Sequence, residues 1–437
     1  MTELYERGQF TGAILVSRRG NVIYQKAFGM ADRKRKIPFT PDTQEYIGSV
    51  SKQMTAMGIM ILKERGKLSY GQSVRDYFPE LPECMQPVRI LDLLRHTGGL
   101  EDFYDFPDMT EQDVFKILMK QKTLKFEPGT RFQYSNGGYT LLGMIISKIA
   151  GQSLNAFLTE NIFGPLKMDH TSVNQITARN NERAIGYDLF GSENNYDSFI
   201  GGSASVISTV RDLFKWDESF AKSPLVNAQT LAEAFEPSIV QKDDTYGERS
   251  YGFGWWIGRY NGQMNLFHNG SFGGYKAYNE ILTGDRINII HLSNLRHSSM
   301  MGIRAAIVDI LNGRPYKPVP RSIGAWIYRE KQTAGADSMI HLYRQIKGSA
   351  AKDGFDFGEG ELNTLGYHLM RSDRVDDAIK IFTLNTEVYP ESANVYDSLG
   401  EAYLKSGNKE LGLKNYQKAL AIHPDDKGLQ QRIANIR

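Results

Sequence analysis

The first 313 residues place strand-like segments at both ends and helix-like segments between them, an order that few folds accommodate. Gly12 to Val16 and Val22 to Phe28 read as two strands joined at Arg18-Arg19-Gly20-Asn21, an edge hairpin. Phe253 to Arg259 and Gln263 to Phe267 are strands about Asn261-Gly262, a strong hairpin signal. Tyr275 to Leu282 and Ile287 to Leu292 pair across Thr283-Gly284-Asp285, and Ser299 to Leu311 closes the region as a helix. The expected fold is an α+β domain whose antiparallel sheet joins N-terminal and C-terminal strands and is flanked by helices.

Beyond residue 313 the pattern changes. Pro315, Pro318 and Pro320 mark a linker, and helices are expected over Ile323 to Lys331 and Asp337 to Lys347. Leu365-Gly366 then matches Leu399-Gly400, Phe382 matches Tyr416, and Pro390 matches Pro424, each pair 34 residues apart. That spacing is the period of the tetratricopeptide repeat, a helix–turn–helix unit. Gly412 and Asn385 depart from it, standing where a small alanine is usual. The expected organisation is 1–313 as the α+β domain, 314–357 as linker and packing helices, and 358–437 as two all-α repeats with a capping helix from Asp426 to Ile436. Such repeats serve protein binding or self-association, or simply dock as structure.

Composition excludes several roles. With 41% apolar and 23% charged residues the chain is of ordinary globular type. A formal charge of +2, with no basic cluster interleaved with aromatics, gives no nucleic-acid surface. No apolar run reaches the length of a membrane span. Cys84 is the single cysteine, so no internal disulfide forms. The eight histidines show no metal-ligand spacing, and neither a phosphate-binding loop nor Gly-x-Ser-x-Gly is present, so no cofactor or metal is expected. The opening residues do not form a signal peptide, and a strand follows almost at once, which suggests a chain trimmed of its leader.

The stretch from Glu45 to Gly66 carries the first chemistry. An extended approach turns at Gly48 into a helix from about Ser49 to Arg65, with Val50, Met54, Met57, Met60 and Ile61 on a buried face. Ser49 and Lys52 are three apart and share a helix face. A serine hydroxyl needs an adjacent base to become a nucleophile. Lys52 meets that need only when neutral, which takes a pKa drop of roughly 3 units, or about 4 kcal/mol of burial or neighbouring positive charge. The plainer reading makes Ser49 a helix cap and Lys52 a solvated lysine.

Two further motifs shift the balance: Tyr134-x-Asn136 and His268-Asn269-Gly270. With Ser49-x-x-Lys52 they resemble the serine hydrolases related to class C β-lactamases and penicillin-binding proteins. The resemblance covers residues 1 to about 313. It extends to Leu93 through Leu100, to Ser208 through Asp212, and to Tyr251 through Trp255, and members with a tetratricopeptide tail look similar along the whole chain.

The resemblance implies a β-lactamase-like fold and acylation of Ser49, with Lys52 or Tyr134 as the base. Asn136, His268, Gly270 and Ser271 are the implied substrate-binding residues, with the N–H groups of Ser49 and Ser271 as oxyanion hole. Gly270 is expected to let substrate lie close to the backbone. His96 is expected to be structural. Penicillin-recognising relatives carry lysine then threonine or serine where this chain has His268 and Asn269, and these grip the drug's carboxylate. The implied substrates are therefore small esters, amides or D-amino-acid-containing peptides. D-alanyl-D-alanine carboxypeptidase, a weak β-lactamase, and a non-catalytic sensor of cell-wall fragments or peptides are the alternatives. The implied location is outside the cytoplasm, the alternative cytoplasmic.

Overall fold

A computed structural model describes residues 1–102, 109–173, 183–195, 198–222, 225–243, 247–260, 262–296 and 299–436. Asn261 and, within the polar segment from Thr171 to Ser198, residues 174–182 and 196–197 lie outside the described residues. The chain divides into two compact units, Met1–Met300 and Met301–Arg437. The helix expected from Ser299, observed over Met300–Leu311, thus falls almost wholly in the second unit.

The first unit is built on an eight-stranded antiparallel sheet. Its strands are β1 (Gly12–Arg18), β2 (Asn21–Phe28), β3 (Gln241–Asp243), β4 (Gly247–Tyr251), β5 (Trp256–Tyr260), β6 (Gln263–Phe272), β7 (Tyr275–Leu282) and β8 (Ile287–Ser293). They lie in the order β2-β1-β8-β7-β6-β5-β4-β3. β1 pairs with β8 in the register Leu15↔Ile290, which joins the two ends of the domain as the strand order requires. β2 forms the edge, whereas β1 is interior.

β6 differs from expectation in length. It runs through His268-Asn269-Gly270 to Phe272, so that motif lies inside a strand and not at its end. β7 pairs with β6 to Phe272, while β5 leaves it after Trp256↔Phe267. The outer edge of 268–272 is therefore open to neighbours other than β5. Ile47 and Gly48 take part of it, since a Cβ on Gly270 would lie 1.9 Å from the Ile47 carbonyl oxygen.

Helix α1 (Ser51–Glu64) is buried on every side from Ser51 to Leu62, not along one stripe. It packs on α2 (Asn136–Ala150), where a Cβ on Gly58 would lie 2.8 Å from Ile146 Cδ1. Ser135 caps α2 by accepting the Gly138 N–H, and Gly151, at φ 65°, ends it. A small sheet of Glu45–Tyr46, Val206–Ser208 and Ser172–Val173 fixes the approach to α1. Ser51 Oγ accepts the Val206 N–H at 3.0 Å, tying the start of α1 to the segment after Ser203.

The second unit is helical. After helices at Ile323–Lys331 and Ala336–Lys347 come α3 (Glu359–Arg371), α4 (Val375–Val388), α5 (Ala393–Lys405) and α6 (Lys409–Ile422), then Lys427–Ile436. One contact recurs between the paired helices. A Cβ on Gly366 would lie 2.5 Å from the Phe382 ring, and one on Gly400 the same distance from the Tyr416 ring. Each glycine is the gap into which the facing aromatic fits, and the 34-residue offset of the sequence is thus repeated in packing.

Candidate active site

Ser49 sits in a tight turn, Gly48–Val50, immediately before α1. Gly48 has φ 51°, and a Cβ there would meet Ser271 N at 2.6 Å, so only glycine lets this turn press against β6. Val50 precedes α1 and supplies no side-chain cap, so Ser49 is not spent as a helix cap. Its side chain is half-buried, whereas Lys52 is wholly buried.

Lys52 Nζ is 3.1 Å from Ser49 Oγ, 2.9 Å from Asn136 Oδ1 and 2.9 Å from the Ser203 carbonyl oxygen. Asn136 Oδ1 and the Ser203 carbonyl can only accept, so two N–H bonds of Lys52 are committed to them. The third direction of the nitrogen faces Ser49. When the amine is neutral, its lone pair lies there and the Ser49 hydroxyl donates to it. Burial lowers the Lys52 pKa to about 7, with the Asp102 carboxylate acting in the opposite sense. The drop that a lysine base requires is thus met by burial, without a second cation.

Close backbone approach makes this possible. A Cβ on Gly202 would lie 2.7 Å from the Tyr139 carbonyl oxygen, and one on Gly254 would lie 2.7 Å from the Lys52 carbonyl oxygen. Thr55 Oγ1 donates to the Gly202 carbonyl at 2.8 Å, which holds the 201–203 turn against α1 and aims the next-door Ser203 carbonyl at Lys52.

The Tyr134 ring lies 4.8 Å from Lys52 Nζ. It is bracketed by the rings of His96 at 4.2 Å, Tyr251 at 6.0 Å and His268 at 6.2 Å. His96, at φ 57°, is buried and accepts the Ser135 N–H through Nδ1 at 3.1 Å. Burial, then Lys52 and His268, hold its pKa well below the usual imidazole range, so it is neutral.

His268 is also buried and neutral. Its Nδ1–H donates to the Asn269 carbonyl at 2.7 Å, which leaves Nε2 to accept the Tyr251 hydroxyl at 2.9 Å. Burial, then the Lys52 charge, lower its pKa to about 3. Both ring nitrogens are thereby engaged within the protein. The close approach at Gly270 is likewise to the chain's own Ile47, and Ser271 meets Gly48.

The structure thus gathers Ser49, Lys52, Tyr134 and Asn136 at one point and sets Gly270 beside Ile47 and Ser271 beside Gly48. His268 joins them through Tyr251 and Tyr134. Asn136 is the first residue of α2 and not its cap, which is Ser135. Three participants escape a motif reading: the Ser203 carbonyl, Tyr251 and Asp102. A backbone carbonyl leaves no trace in sequence, and Tyr251 stood only within a stretch that resembled relatives. Asp102 Oδ1 accepts the Asn136 N–H at 2.8 Å, a contact that no local spacing announces.

A serine whose hydroxyl faces a buried lysine is the arrangement of those serine hydrolases that form acyl-enzymes with a lysine beside the nucleophile. The sequence profile of the beta-lactamase family matches residues 1–312, and the chain belongs to that family. It is 31% identical over 342 residues to Penicillin-binding protein 4* of Bacillus subtilis (strain 168), covering 72% of this chain and 75% of that one. A putative penicillin-binding protein, PbpX, of the same strain is 26% identical over 310 residues, covering 69% and 75%. The octameric penicillin-binding protein homologue of Pyrococcus abyssi superposes with a TM-score of 0.64 at 26% identity, covering 72% of this chain and 76% of that one. The penicillin-binding protein of Bacillus halodurans, at 23% identity and a TM-score of 0.64, shares the fold.

Proposed function

We propose that this protein hydrolyses small esters, amides or D-amino-acid-containing peptides through an acyl-enzyme on Ser49. The observation that carries the reading is the Lys52 amine, with two bonds committed to acceptors and the third direction 3.1 Å from Ser49 Oγ. In acylation, Ser49 Oγ bonds to the substrate carbonyl carbon as its proton passes to Lys52 Nζ. The oxyanion accepts from the backbone N–H groups of Ser49 and Ser271, a reading supported by the close approach of Gly48 to Ser271 N. On collapse the leaving group departs with a proton returned from the site, and water then attacks the acyl-enzyme. Lys52 is the acylation base. Tyr134, with its ring against the amine, relays the proton to the leaving group and helps activate water.

His268 shapes the wall of the pocket through Tyr251. A neutral, internally bonded imidazole there lacks the cation that would grip a β-lactam carboxylate. Turnover of a chromogenic cephalosporin is accordingly expected to be slow, and fast turnover would contradict the assignment. We extend the proposal to the second unit, read as two tetratricopeptide repeats that bind a protein partner or a second copy, and to a location outside the cytoplasm. The recurrent fit of Gly366 to Phe382 and Gly400 to Tyr416 supports the repeat reading.

The test is intact mass after incubation with a fluorophosphonate probe. A single adduct on the wild type, absent from Ser49→Ala, is the expected result, after which ester and D-amino-acid peptide panels identify the acyl group. No adduct on folded protein would remove the hydrolase reading in favour of a non-catalytic sensor.

A further inference from the structure

The glycine-rich loop from His96 to Asp102 grips the Tyr134-Ser135-Asn136 motif at two consecutive amides. At one end His96 Nδ1 accepts the Ser135 N–H at 3.1 Å, and at the other Asp102 Oδ1 accepts the Asn136 N–H at 2.8 Å. Gly99, at φ 64°, gives the loop its bend, since a Cβ there would lie 2.6 Å from the Phe126 carbonyl oxygen. Asn136 begins a helix of 15 residues, so its N–H is one of the orphan donors of that terminus. The side chain of the same Asn136 accepts from Lys52.

We infer that Asp102 is a positioning residue of this site, whose carboxylate anchors Asn136 at the start of α2 and, through that residue, holds negative charge near the buried Lys52 amine. The inference rests on the Ser49–Lys52 reading above and adds a control on it.

The groups facing Lys52 explain why that charge matters. Ser49 and Asn136 are dipolar. The Tyr134 and Tyr139 rings lie 4.8 Å and 5.7 Å from Nζ. His96 and His268, from the glycine-rich loop and β6, are held neutral by burial. Burial alone drives the amine toward neutrality, and Asp102 opposes it. A buried lysine without such a counter-charge would be neutral but weakly basic, and a weak base takes the Ser49 proton poorly. Asp102 keeps the amine both deprotonatable near neutrality and basic enough to act. A neutral acceptor at position 102 would anchor the helix equally well but would not supply this charge.

The test uses the full chain and follows the rate of Ser49 modification by a fluorophosphonate probe across pH. In the wild type the rate should rise through an acid limb near the Lys52 pKa of about 7. Asp102→Asn, which keeps an acceptor for the Asn136 N–H, should move that limb down by about one pH unit and lower the plateau roughly tenfold. Asp102→Glu should return the limb toward its original position. Asp102→Ser, whose hydroxyl is a good acceptor at a helix start, should behave as Asp102→Asn and serves where the asparagine variant is poorly folded. A limb that stays in place in the folded asparagine or serine variant, with Ser49 still modified, would overturn the inference and leave the hydrolase reading intact. Absence of any adduct on wild-type Ser49 would overturn both.

Discussion

The ring of His96 lies 4.2 Å from that of Tyr134, and the same His96 takes the N–H of the residue after it, Ser135. One buried, neutral side chain thus fixes both the plane of the tyrosine and the backbone that carries it. His96→Leu removes the acceptor and leaves a buried Ser135 N–H without its partner, at a cost of about 1–3 kcal/mol. Thermal unfolding should fall by several degrees. The rate of Ser49 modification should fall with it, because Tyr134 loses its support. Unchanged modification kinetics in a destabilised variant would separate the two roles.

Lys52 ties its proposed role as base to stability. Its folded pKa is about 7 against the ordinary lysine value of 10.5, so above pH 7 the native amine is neutral while the unfolded chain still binds the proton. Stability should therefore rise with pH between those two values and lose that gain as pH falls to about 7, by on the order of 5 kcal/mol in total. Lys52→Met should abolish this part of the pH dependence, measurable as unfolding free energy against pH. It should also slow Ser49 modification by roughly 10²–10⁴-fold.

His268 should remain neutral through the range in which an exposed histidine titrates, near pH 6.5. Its pKa of about 3 follows from burial and from the Lys52 charge, and Tyr251 already donates to Nε2. Its imidazole resonances in an NMR titration should stay constant across that range. His268→Gln should leave the acid limb of Ser49 modification where it was. A limb that vanished with His268 would reassign the titrating group.

Gly270→Ala places a methyl 1.9 Å from the Ile47 carbonyl oxygen, against backbone that cannot swing aside. The strand and the Ser49 turn must part, which should cost about 1–3 kcal/mol or more and slow Ser49 modification. In the second unit, Gly400→Ala crowds the Tyr416 ring at 2.5 Å and should cost about 1–3 kcal/mol, read by chemical unfolding, with Ser49 modification unchanged.

Much of this molecule is legible in its sequence. Strands at 12–16, 22–28, 275–282 and 287–292, and helices at 323–331 and 337–347, announce themselves because side-chain period and turn residues are local properties. Other features were shifted or missed. β3 and β4 are short, so their alternation is faint. β6 outran its expected end because Gly270 reads as a break, yet it is the residue that lets Ile47 approach. The spacing of α1 predicts one buried face, yet the helix is buried all round since packing closes over Lys52 and Gln53 as well.

The sequence by itself determined which side chains the site would contain, because Ser49, Lys52, Tyr134 and Asn136 stand in short motifs of known chemical sense. Only the tertiary structure decided their state. Whether Lys52 is a solvated cation or a base depends on burial, on the Ser203 carbonyl and on the Asp102 charge, and each of these is set by segments remote in the chain. Whether His268 is an acid or a silent imidazole depends on burial and then on the Lys52 charge. Desolvation and electrostatic fields fall off with distance through space and take no account of distance along the chain. Residue identity therefore is written locally, and protonation state is not.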